Sequence, residues 1–240
     1  MMLKLNTPKH IAIIMDGNAR WSKARSLPTI AGHRAGAKAA EEVVSRAAEV
    51  GVEYITLFAF SSENWQREQE WVLELMGLFR WYLQHSVDKL MQNNVRLKII
   101  GDKTSFAKDL QDLMESVEEC TKNNTGITVI LALSYGGRDD IRRATQKIAY
   151  AVQDGKIRPE DITEDLISQT LDTHFCPDPD LFIRTSGELR VSNYLLWQLA
   201  YTEYFFADCF WPDFGAKQLD LAIEQYSKRH RRYGLYSVAA

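Results

Sequence analysis

The stretch IAIIMDGNARW, residues 11–21, decides the fold. Ile11 to Met15 is a short continuous apolar run, which is typical of a strand that is buried on both faces of a sheet. Asp16-Gly17-Asn18 follows directly, and this turn-forming cluster ends the strand. Ligands of open parallel sheets bind beyond the carboxyl ends of the strands. The stretch therefore predicts a buried strand with a ligand site directly behind it.

Short apolar runs alternate with longer amphipathic runs along nearly the whole chain. Such β-α alternation indicates an α/β fold in which a mostly parallel central sheet is flanked by helices. No repeat, low-complexity tract or linker divides the chain, so we predict a single domain over residues 1–240. Strands are predicted over residues 11–15, 54–60, 95–100, 127–133, 180–184 and 204–211. Helices are predicted over residues 35–50, 68–92, 106–120, 139–152 and 216–230.

The composition speaks against several classes of protein. The 240 residues carry 29 Lys and Arg against 32 Asp and Glu, a net charge of −3, and 45% are hydrophobic. A dedicated nucleic-acid binder would usually carry a clear basic excess, so we expect no nucleic-acid partner. The first ten residues lack the apolar stretch of a signal peptide, and no apolar run is long enough to span a bilayer. Scattered cysteines at 120, 176 and 209 are typical of reduced thiols in a cytosolic protein.

The residues behind the predicted strands form one shared rim whose chemistry suits phosphate. Its segments are residues 16–20, 61–67, 135–138 and 184–192. Asp16 offers a hard oxygen ligand of the kind that Mg²⁺ prefers, and Mg²⁺ in turn suits phosphate oxygens. The segment from Arg184 to Asn193 adds paired arginines, hydroxyls and a glycine, a combination that favours diphosphate binding.

Each of these residues also has a plain structural interpretation. Asp16 and Gly17 fit a plain turn with Arg20 solvated, and Ser62 or Asn64 fits the cap of the long helix that follows. Trp65 fits a core position, and Glu203 fits either a second metal ligand or a satisfied core carboxylate. The arginines behind residue 183 fit an exposed surface loop as well. The motifs of P-loop kinases, dinucleotide-binding proteins and zinc proteases are all missing from the sequence.

Six motifs follow one another along the chain: MDGNxRW at 15–21, AGHxxG at 31–36, FSSENWxR at 60–67, YGGR at 135–138, IRTSGExRxSN at 183–193 and WPDF at 211–214. Taken together they closely resemble the cis-prenyltransferases, in that family's order and over almost the whole chain. The resemblance implies a homodimer of α/β chains with an apolar tunnel beside the sheet. It also implies Mg²⁺-dependent condensation of isopentenyl diphosphate onto farnesyl diphosphate, with each new double bond cis.

The resemblance assigns roles by matching position. Asp16 matches a metal-binding catalytic aspartate, Asn64 a residue linked to proton removal, and Glu203 a carboxylate tied to the metal. Arg232 and Gly234 match a C-terminal element that reaches the isopentenyl diphosphate of the neighbouring chain. The implied substrate-binding residues are Gly17, Asn18, Ala19, Arg20, Trp21, His33, Ser61, Ser62, Glu63, Trp65, Arg67, Arg184, Arg190, Val191, Ser192, Arg232 and Gly234.

Three positions depart from the family pattern. Thr29 stands where many relatives carry an arginine, which removes one expected phosphate contact. Leu189 stands where some bacterial members have a histidine near the metal. Ala19 replaces a glycine that is common in the first motif.

The implied product is a long polyprenyl diphosphate, and we expect undecaprenyl diphosphate, the lipid-carrier precursor for cell-wall synthesis. Such an apolar product should leave slowly into water. We therefore expect a cytoplasmic protein that contacts the inner face of the plasma membrane loosely when it releases product.

Two other classes of function compete with this hypothesis. A non-catalytic prenyl-binding subunit of the same fold would be expected to lack parts of the site, whereas Asp16, Asn64 and both arginines of the IRTSGExR motif are present. A phosphate-binding α/β enzyme of unrelated chemistry would account for the rim but not for the order of the motifs.

Overall fold

The computed structural model describes residues 6–229, which form one α/β domain around a six-stranded sheet. All five neighbouring strand pairs are parallel, in the order β3-β4-β2-β1-β5-β6, so the predicted fold class is confirmed. The strand predicted over 204–211 is shorter and ends at Phe206. The strands are β1 His10–Ile14, β2 Tyr54–Ser61, β3 Arg96–Ile100, β4 Thr128–Tyr135, β5 Leu181–Arg184 and β6 Glu203–Phe206.

Seven α-helices cover the sheet within residues 6–229. Five of them match predicted helices, whereas α1 and α6 were not predicted, and α2 begins at Thr29, six residues before the predicted start at 35. No helix in this described range has both the length and the apolar character needed to cross a bilayer. The helices are α1 Asn18–Ala24, α2 Thr29–Glu49, α3 Gln69–Gln92, α4 Lys108–Thr121, α5 Gly137–Gln153, α6 Glu164–Thr170 and α7 Ala216–Ser227. Short 3₁₀ turns lie at Ser62–Gln66, Lys103–Ser105, Pro159–Asp161 and Trp211–Asp213.

Two glycines explain why α2 extends further towards its amino end than its apolar pattern suggests. A Cβ atom on Gly32 would lie 2.1 Å from the carbonyl oxygen of Asn18, and one on Gly36 would lie 2.3 Å from Asn18 Oδ1. Glycine weakens a helix in isolation, but here it lets α1 and α2 pack closely. The close packing places Asn18 directly against α2.

The strand order creates a crevice between β1 and β5. The chain builds the sheet on one side of β1 with β2, β4 and β3, and then returns to the other side with β5 and β6. Ile14 at the end of β1 lies opposite Phe58 of β2 and Arg184 of β5, so the strands end at the same edge. Ligands of such sheets bind at this reversal of strand order.

Packing of α2 and α3 over one face of the sheet leaves an apolar cavity of about 240 Å³. It lies beside the sheet, where the resemblance to the cis-prenyltransferases implies an apolar tunnel. Small residues of α2, among them Gly36, Ala37 and Ala40, leave the space that larger side chains would fill. The remaining walls come chiefly from Leu57, Ala59, Leu97, Val129, Leu131 and Leu133 of the sheet and from Leu75, Leu78, Phe79, Leu83 and Leu90 of α3.

Candidate active site

Asp16, the second residue after β1, is held between two guanidinium groups at the crevice. Its Oδ2 accepts a hydrogen bond of 2.9 Å from Arg184 Nη2, and its Oδ1 accepts one of 3.0 Å from Arg20 Nη2. Its backbone carbonyl accepts from the hydroxyls of Thr185 and Ser186, at 2.7 and 2.9 Å. Burial alone would raise the pKa of Asp16, but the hydrogen bonds from Arg184 and Arg20 outweigh it, so the pKa lies below its usual value. The carboxylate is therefore charged at neutral pH.

Gly17 allows the loops after β1 and β5 to touch. Its φ of +102° lies in the left-handed region that side chains disfavour. A Cβ atom at this position would lie 2.1 Å from Ser186 Oγ and 2.9 Å from Phe210 Cδ1. The Asp-Gly pair is thus a turn, as its plain interpretation holds, and the turn also builds the site.

Arg184 is the buried charge that organises the loop behind β5. Its side chain is only 4% exposed. Nη1 donates to Ser192 Oγ at 2.7 Å and to the carbonyl of Arg190 at 2.5 Å, while Nη2 bonds Asp16. Arg20 extends the network, because its Nη1 lies 2.9 Å from Glu188 Oε1, and Glu188 also pairs with Arg190. The predicted diphosphate cradle is therefore an ordered network of opposite charges.

A polar pocket of about 420 Å³ opens above this network. Five buried side-chain nitrogen or oxygen atoms in residues 6–229 have no hydrogen-bond partner, and three belong to residues that line this pocket: Asn18 Oδ1, His33 Nε2 and Arg184 Nε. Native proteins rarely leave such atoms unpaired, so their concentration here indicates a ligand with polar groups. Predicted site residues that line the pocket are Asp16, Gly17, Asn18, Ala19, Arg20, His33, Ser61, Asn64, Arg67, Arg184, Arg190 and Ser192.

The polar pocket and the apolar cavity adjoin each other. Met15, Asn18, His33, Ala59 and Leu75 line both of them. Burial, together with the positive charge of Arg67, lowers the pKa of His33 to about 4, so its imidazole is neutral at physiological pH. The arrangement suits a ligand with an anionic head and a long apolar tail.

Comparison with known proteins identifies the family. A family model described as putative undecaprenyl diphosphate synthase, a prenyltransferase family, matches residues 14–234. The chain belongs to this family. It is 51% identical over 229 residues to the isoprenyl transferase of Rhizobium meliloti strain 1021, which covers 95% of this chain and 93% of that protein. It is 49% identical over 227 residues to the isoprenyl transferase of Neisseria meningitidis serogroup B, with 95% and 89% covered.

Two solved structures share the fold. Lavandulyl diphosphate synthase from Lavandula x intermedia, in complex with dimethylallyl diphosphate, superimposes with a TM-score of 0.92 at 39% identity and covers 95% of this chain and 98% of its own. A probable undecaprenyl diphosphate synthase from Campylobacter jejuni gives a TM-score of 0.80 at 32% identity, with 95% and 99% covered. With the family established, the chain is a prenyltransferase, and the predicted enzyme class is confirmed.

The segment behind β2 contributes both to the pocket and to its support. Asn64 lines the pocket, yet its Oδ1 accepts a hydrogen bond of 3.0 Å from the backbone N–H of Ser61. This bond belongs to the capping box of the 3₁₀ turn Ser62–Gln66. The prediction that Ser62 or Asn64 caps the long helix is wrong, because α3 begins after Glu68 without a side-chain cap. Arg67 lines the pocket as well, and its guanidinium stacks 4.4 Å above the ring of Trp71.

Several predicted substrate-binding residues do not line the pocket of this prenyltransferase. Trp65 occupies the core position that its plain interpretation describes, because its Nε1 donates to Ser134 Oγ at 2.9 Å and its ring packs against Phe60 and Phe106. Trp21 donates from Nε1 to Asp213 Oδ1 at 2.8 Å and so ties α1 to the WPDF segment. The others outside the pocket lining are Ser62, Glu63 and Val191.

Glu203 lies at the amino ends of the strands, whereas Asp16 lies at their carboxyl ends. It begins β6 beside Leu181, whereas Arg184 pairs with Phe206, three residues and about 10 Å further along the strand. Its carboxylate accepts from Arg229 Nη1 at 2.9 Å. One chain therefore does not bring Glu203 and Asp16 together around a metal, contrary to the expectation that both bind it. Arg232 and Gly234 lie outside the described residues.

The family pattern implies a Mg²⁺ ion, and the oxygen donors of the pocket fit one that arrives with a diphosphate. Mg²⁺ keeps several waters and is usually held by one or two carboxylates plus substrate phosphates. Asp16 is an ionised carboxylate in the pocket, and Asn18 Oδ1 is a buried oxygen without a partner. Within residues 6–229 no group of three or more acidic, histidine or cysteine side chains could enclose a metal alone.

The structure also locates the three positions that depart from the family pattern and one pocket residue, Glu188, that was not predicted. Thr29 is the exposed first residue of α2 and does not line the pocket, and Leu189 is 75% exposed beside it. Ala19 lines the pocket. Glu188 was not predicted as a site residue, although it lines the pocket and its place between Arg184 and Arg190 was a usable signal.

Replacing Asp16 tests two roles, as the ion-pair partner of Arg184 and as the carboxylate that would bind Mg²⁺. In Asp16→Ala the buried Arg184 guanidinium loses its carboxylate, and we expect the free energy of unfolding to fall by roughly 1.5–3 kcal/mol. Asp16→Asn keeps an acceptor and should fall less. Both variants should bind magnesium pyrophosphate at least tenfold more weakly, yet bind pyrophosphate in EDTA as well as or better than the parent, because one negative charge is removed. Urea titration and calorimetry measure these quantities. Unchanged affinity for magnesium pyrophosphate in Asp16→Asn would contradict the metal role.

Proposed function

We propose that this prenyltransferase adds isopentenyl diphosphate units to farnesyl diphosphate in a Mg²⁺-dependent reaction that forms each new double bond in the cis configuration. The observation that carries the proposal is the junction of a polar pocket with an apolar cavity. Three residues that line the pocket each carry a buried polar atom without a partner. The pocket suits the diphosphate and the cavity suits the prenyl chain. The family description favours undecaprenyl diphosphate as the product, which would be the lipid-carrier precursor for cell-wall synthesis.

The side chains of the pocket supply charge where the reaction develops it. When the C1–O bond of the allylic substrate breaks, negative charge builds on the departing diphosphate, and Arg20 and Arg184 lie where they can stabilise it. A Mg²⁺ ion held by Asp16 would neutralise further charge on the phosphate oxygens. His33, neutral at physiological pH, can hydrogen-bond an oxygen through Nε2 without adding charge.

The new carbon–carbon bond forms as the alkene of isopentenyl diphosphate attacks C1, and a proton then leaves C2 of the added unit. Asn64 is a neutral amide and therefore a very poor base, and its Oδ1 already accepts from Ser61. We assign Asn64 the role of positioning the unit that loses the proton. The departing diphosphate is the proposed acceptor of that proton.

The same fold could instead carry out a single condensation. The solved neighbour named lavandulyl diphosphate synthase, whose title includes dimethylallyl diphosphate, makes this the second candidate. The depth of the cavity favours elongation, because the cavity extends from the polar pocket to Leu90, near the carboxyl end of α3.

The test is incubation of the purified chain with farnesyl diphosphate, labelled isopentenyl diphosphate and Mg²⁺, followed by sizing of the extracted products. We expect one narrow distribution of long chains and no incorporation in EDTA. A single short product would support the second candidate instead. Absence of incorporation with intact Mg²⁺-pyrophosphate binding would identify a non-catalytic subunit.

Narrowing the cavity should shorten the product. Ala40 lines the cavity from α2, so Ala40→Phe places a ring in the path of the growing chain. Elongation should stop several units early, while the rate of the first condensation changes less than threefold, on the order of 0.6 kcal/mol. Ala48→Phe, at an exposed position of the same helix, is the matched control and should leave the product length unchanged. Products of parental length from Ala40→Phe would show that the chain grows elsewhere.

We propose that the chain works as a homodimer through the edge of the sheet at β6. The proposal is supported by Tyr204, Phe205 and Phe206, which are only half-buried on this edge strand, and by Tyr201, which is 71% exposed beside it. Sedimentation should give twice 27.6 kDa. Tyr201→Glu should shift the mass towards the monomer, whereas Tyr150→Glu, at a 65% exposed position of α5, should not. A monomeric parent at micromolar concentration would refute the dimer.

We further propose that the protein is cytoplasmic and meets the inner face of the plasma membrane only when it releases product. A long prenyl chain leaves the apolar cavity for water at a high free-energy cost, so release should limit steady turnover. Detergent or phospholipid vesicles should then raise the steady rate severalfold and leave the first turnover unchanged. Equal acceleration of both phases in a rapid-quench experiment would argue against slow release.

A further inference from the structure

Asn193 lies where three loops of the pocket rim meet. Its Nδ2 donates a hydrogen bond of 2.7 Å to Glu63 Oε1, and its Oδ1 accepts one of 2.9 Å from the backbone N–H of Arg138. Its backbone carbonyl accepts a third, of 2.6 Å, from the N–H of Gly137. One residue thus joins the segments that follow β2, β4 and β5.

Two of the joined segments carry side chains of the pocket. Glu63 precedes Asn64, which lines the pocket, and Asn193 follows Ser192, whose Oγ accepts from Arg184 at 2.7 Å. Asn193 itself is absent from the pocket lining. Any effect of this residue on substrate must therefore pass through the residues that it holds.

The backbone at Asn193 explains why this residue type is needed. Its φ is +61°, in the left-handed region, which asparagine tolerates better than most residues that carry a side chain. Asparagine also offers a donor and an acceptor on a short side chain. A leucine would lose both side-chain hydrogen bonds, and a glutamine would place its amide one methylene group further from the backbone.

The glycines of the YGGR motif make room for this junction. A Cβ atom on Gly136 would lie 2.5 Å from Ser62 Oγ and 2.8 Å from Asn193 Nδ2. One on Gly137 would lie 3.1 Å from the carbonyl oxygen of Asn193. The motif therefore serves to bring the loop behind β4 against the other two.

We propose that Asn193 is a positioning residue that locks the three loops in one arrangement, so that the pocket is preorganised for the diphosphates. Preorganisation matters because misplacement of a reacting group by about 1 Å can cost roughly a hundredfold in rate. The consequence for elongation rests on the proposed function, whereas the locking of the loops does not.

The decisive experiment reverses the polarity of the bond to Glu63. Burial alone would raise the pKa of Glu63, but the hydrogen bonds that it accepts, first from Asn193, hold it lower, so this carboxylate is charged. Asn193→Asp keeps the acceptor for the N–H of Arg138 but sets a second carboxylate against Glu63. We expect kcat/KM for isopentenyl diphosphate to fall by roughly tenfold to a hundredfold. Adding Glu63→Gln restores a donor and an acceptor in reversed order and should recover most of the loss.

Asn193→Gly is the matched control. It keeps the left-handed backbone and the carbonyl that accepts from Gly137, but it removes both side-chain bonds. Its loss of kcat/KM should equal or exceed that of Asn193→Asp, and Glu63→Gln should not rescue it. Amide exchange measured by NMR should quicken at Arg138 in Asn193→Gly and stay slow there in Asn193→Asp.

The readouts separate the possible failures. Unchanged exchange at Arg138 in Asn193→Gly, or failure of Glu63→Gln to restore kcat/KM to Asn193→Asp while global unfolding stays at the parental midpoint, would overturn the positioning role. If the parent chain itself fails to elongate farnesyl diphosphate, the proposed function falls. The positioning role would then be judged by amide exchange at Arg138 and by the affinity for magnesium pyrophosphate. This affinity should rank the variants in the order expected for kcat/KM.

Discussion

The ion pair between Asp16 and Arg184 is the interaction on which the site depends. It joins the carboxyl ends of β1 and β5 across the crevice where the strand order reverses, with Arg184 almost completely buried. Breaking a buried pair leaves an uncompensated charge, which is strongly unfavourable. The pair therefore ties the loop after β1 to the end of β5. It also holds the Asp16 carboxylate charged in a pocket where burial alone would favour its neutral form.

A polar pocket and an apolar cavity lie side by side in this molecule. Arginines and other polar residues line the pocket, three of them with an unpartnered buried atom, whereas mostly aliphatic side chains line the adjoining cavity. A charged head is costly to bury among leucines, and a prenyl tail gains nothing from arginines. Met15, His33 and Leu75 line both the pocket and the cavity, so they mark the boundary between the two environments. In the proposed reaction the C1 atom of the allylic substrate would lie at this boundary.

Particular residues show how much of the fold and the site could be predicted from the sequence. Ile11–Met15 predicted β1 because a continuous apolar run needs burial on both faces, and the strand is His10–Ile14. Trp65 had two interpretations, a core position from its residue type and a substrate-binding position from the resemblance. Its hydrogen bond to Ser134, a tertiary contact, places it in the core. The expectation for Glu203 conflicted with the sequence's own strand prediction: a residue that precedes a parallel strand lies at the amino edge, away from the rim. The short α1 lacked a periodic signal, and tertiary contacts hold it, among them its packing on Gly32 and Gly36 and the hydrogen bond from Trp21 to Asp213.

The loop behind β5 shows why the finest part of the site was the least predictable. Asn193 has a positive φ that asparagine tolerates, but Ser186, Ser192 and Leu195 have positive φ as well, at a cost of roughly 1–2 kcal/mol each relative to ordinary backbone. No local propensity favours this conformation, so tertiary contacts must hold it. The contacts are the hydrogen bond from the buried Arg184 to Ser192, the junction at Asn193, and the complete burial of Leu195 in the hydrophobic cluster that also contains Phe182 and Tyr194. The motif can be recognised in the sequence, but its shape depends on contacts with the segments that follow β1, β2 and β4. A diphosphate cradle of this kind is thus set by the sheet that surrounds it, and the loop sequence supplies only residues that tolerate the strain.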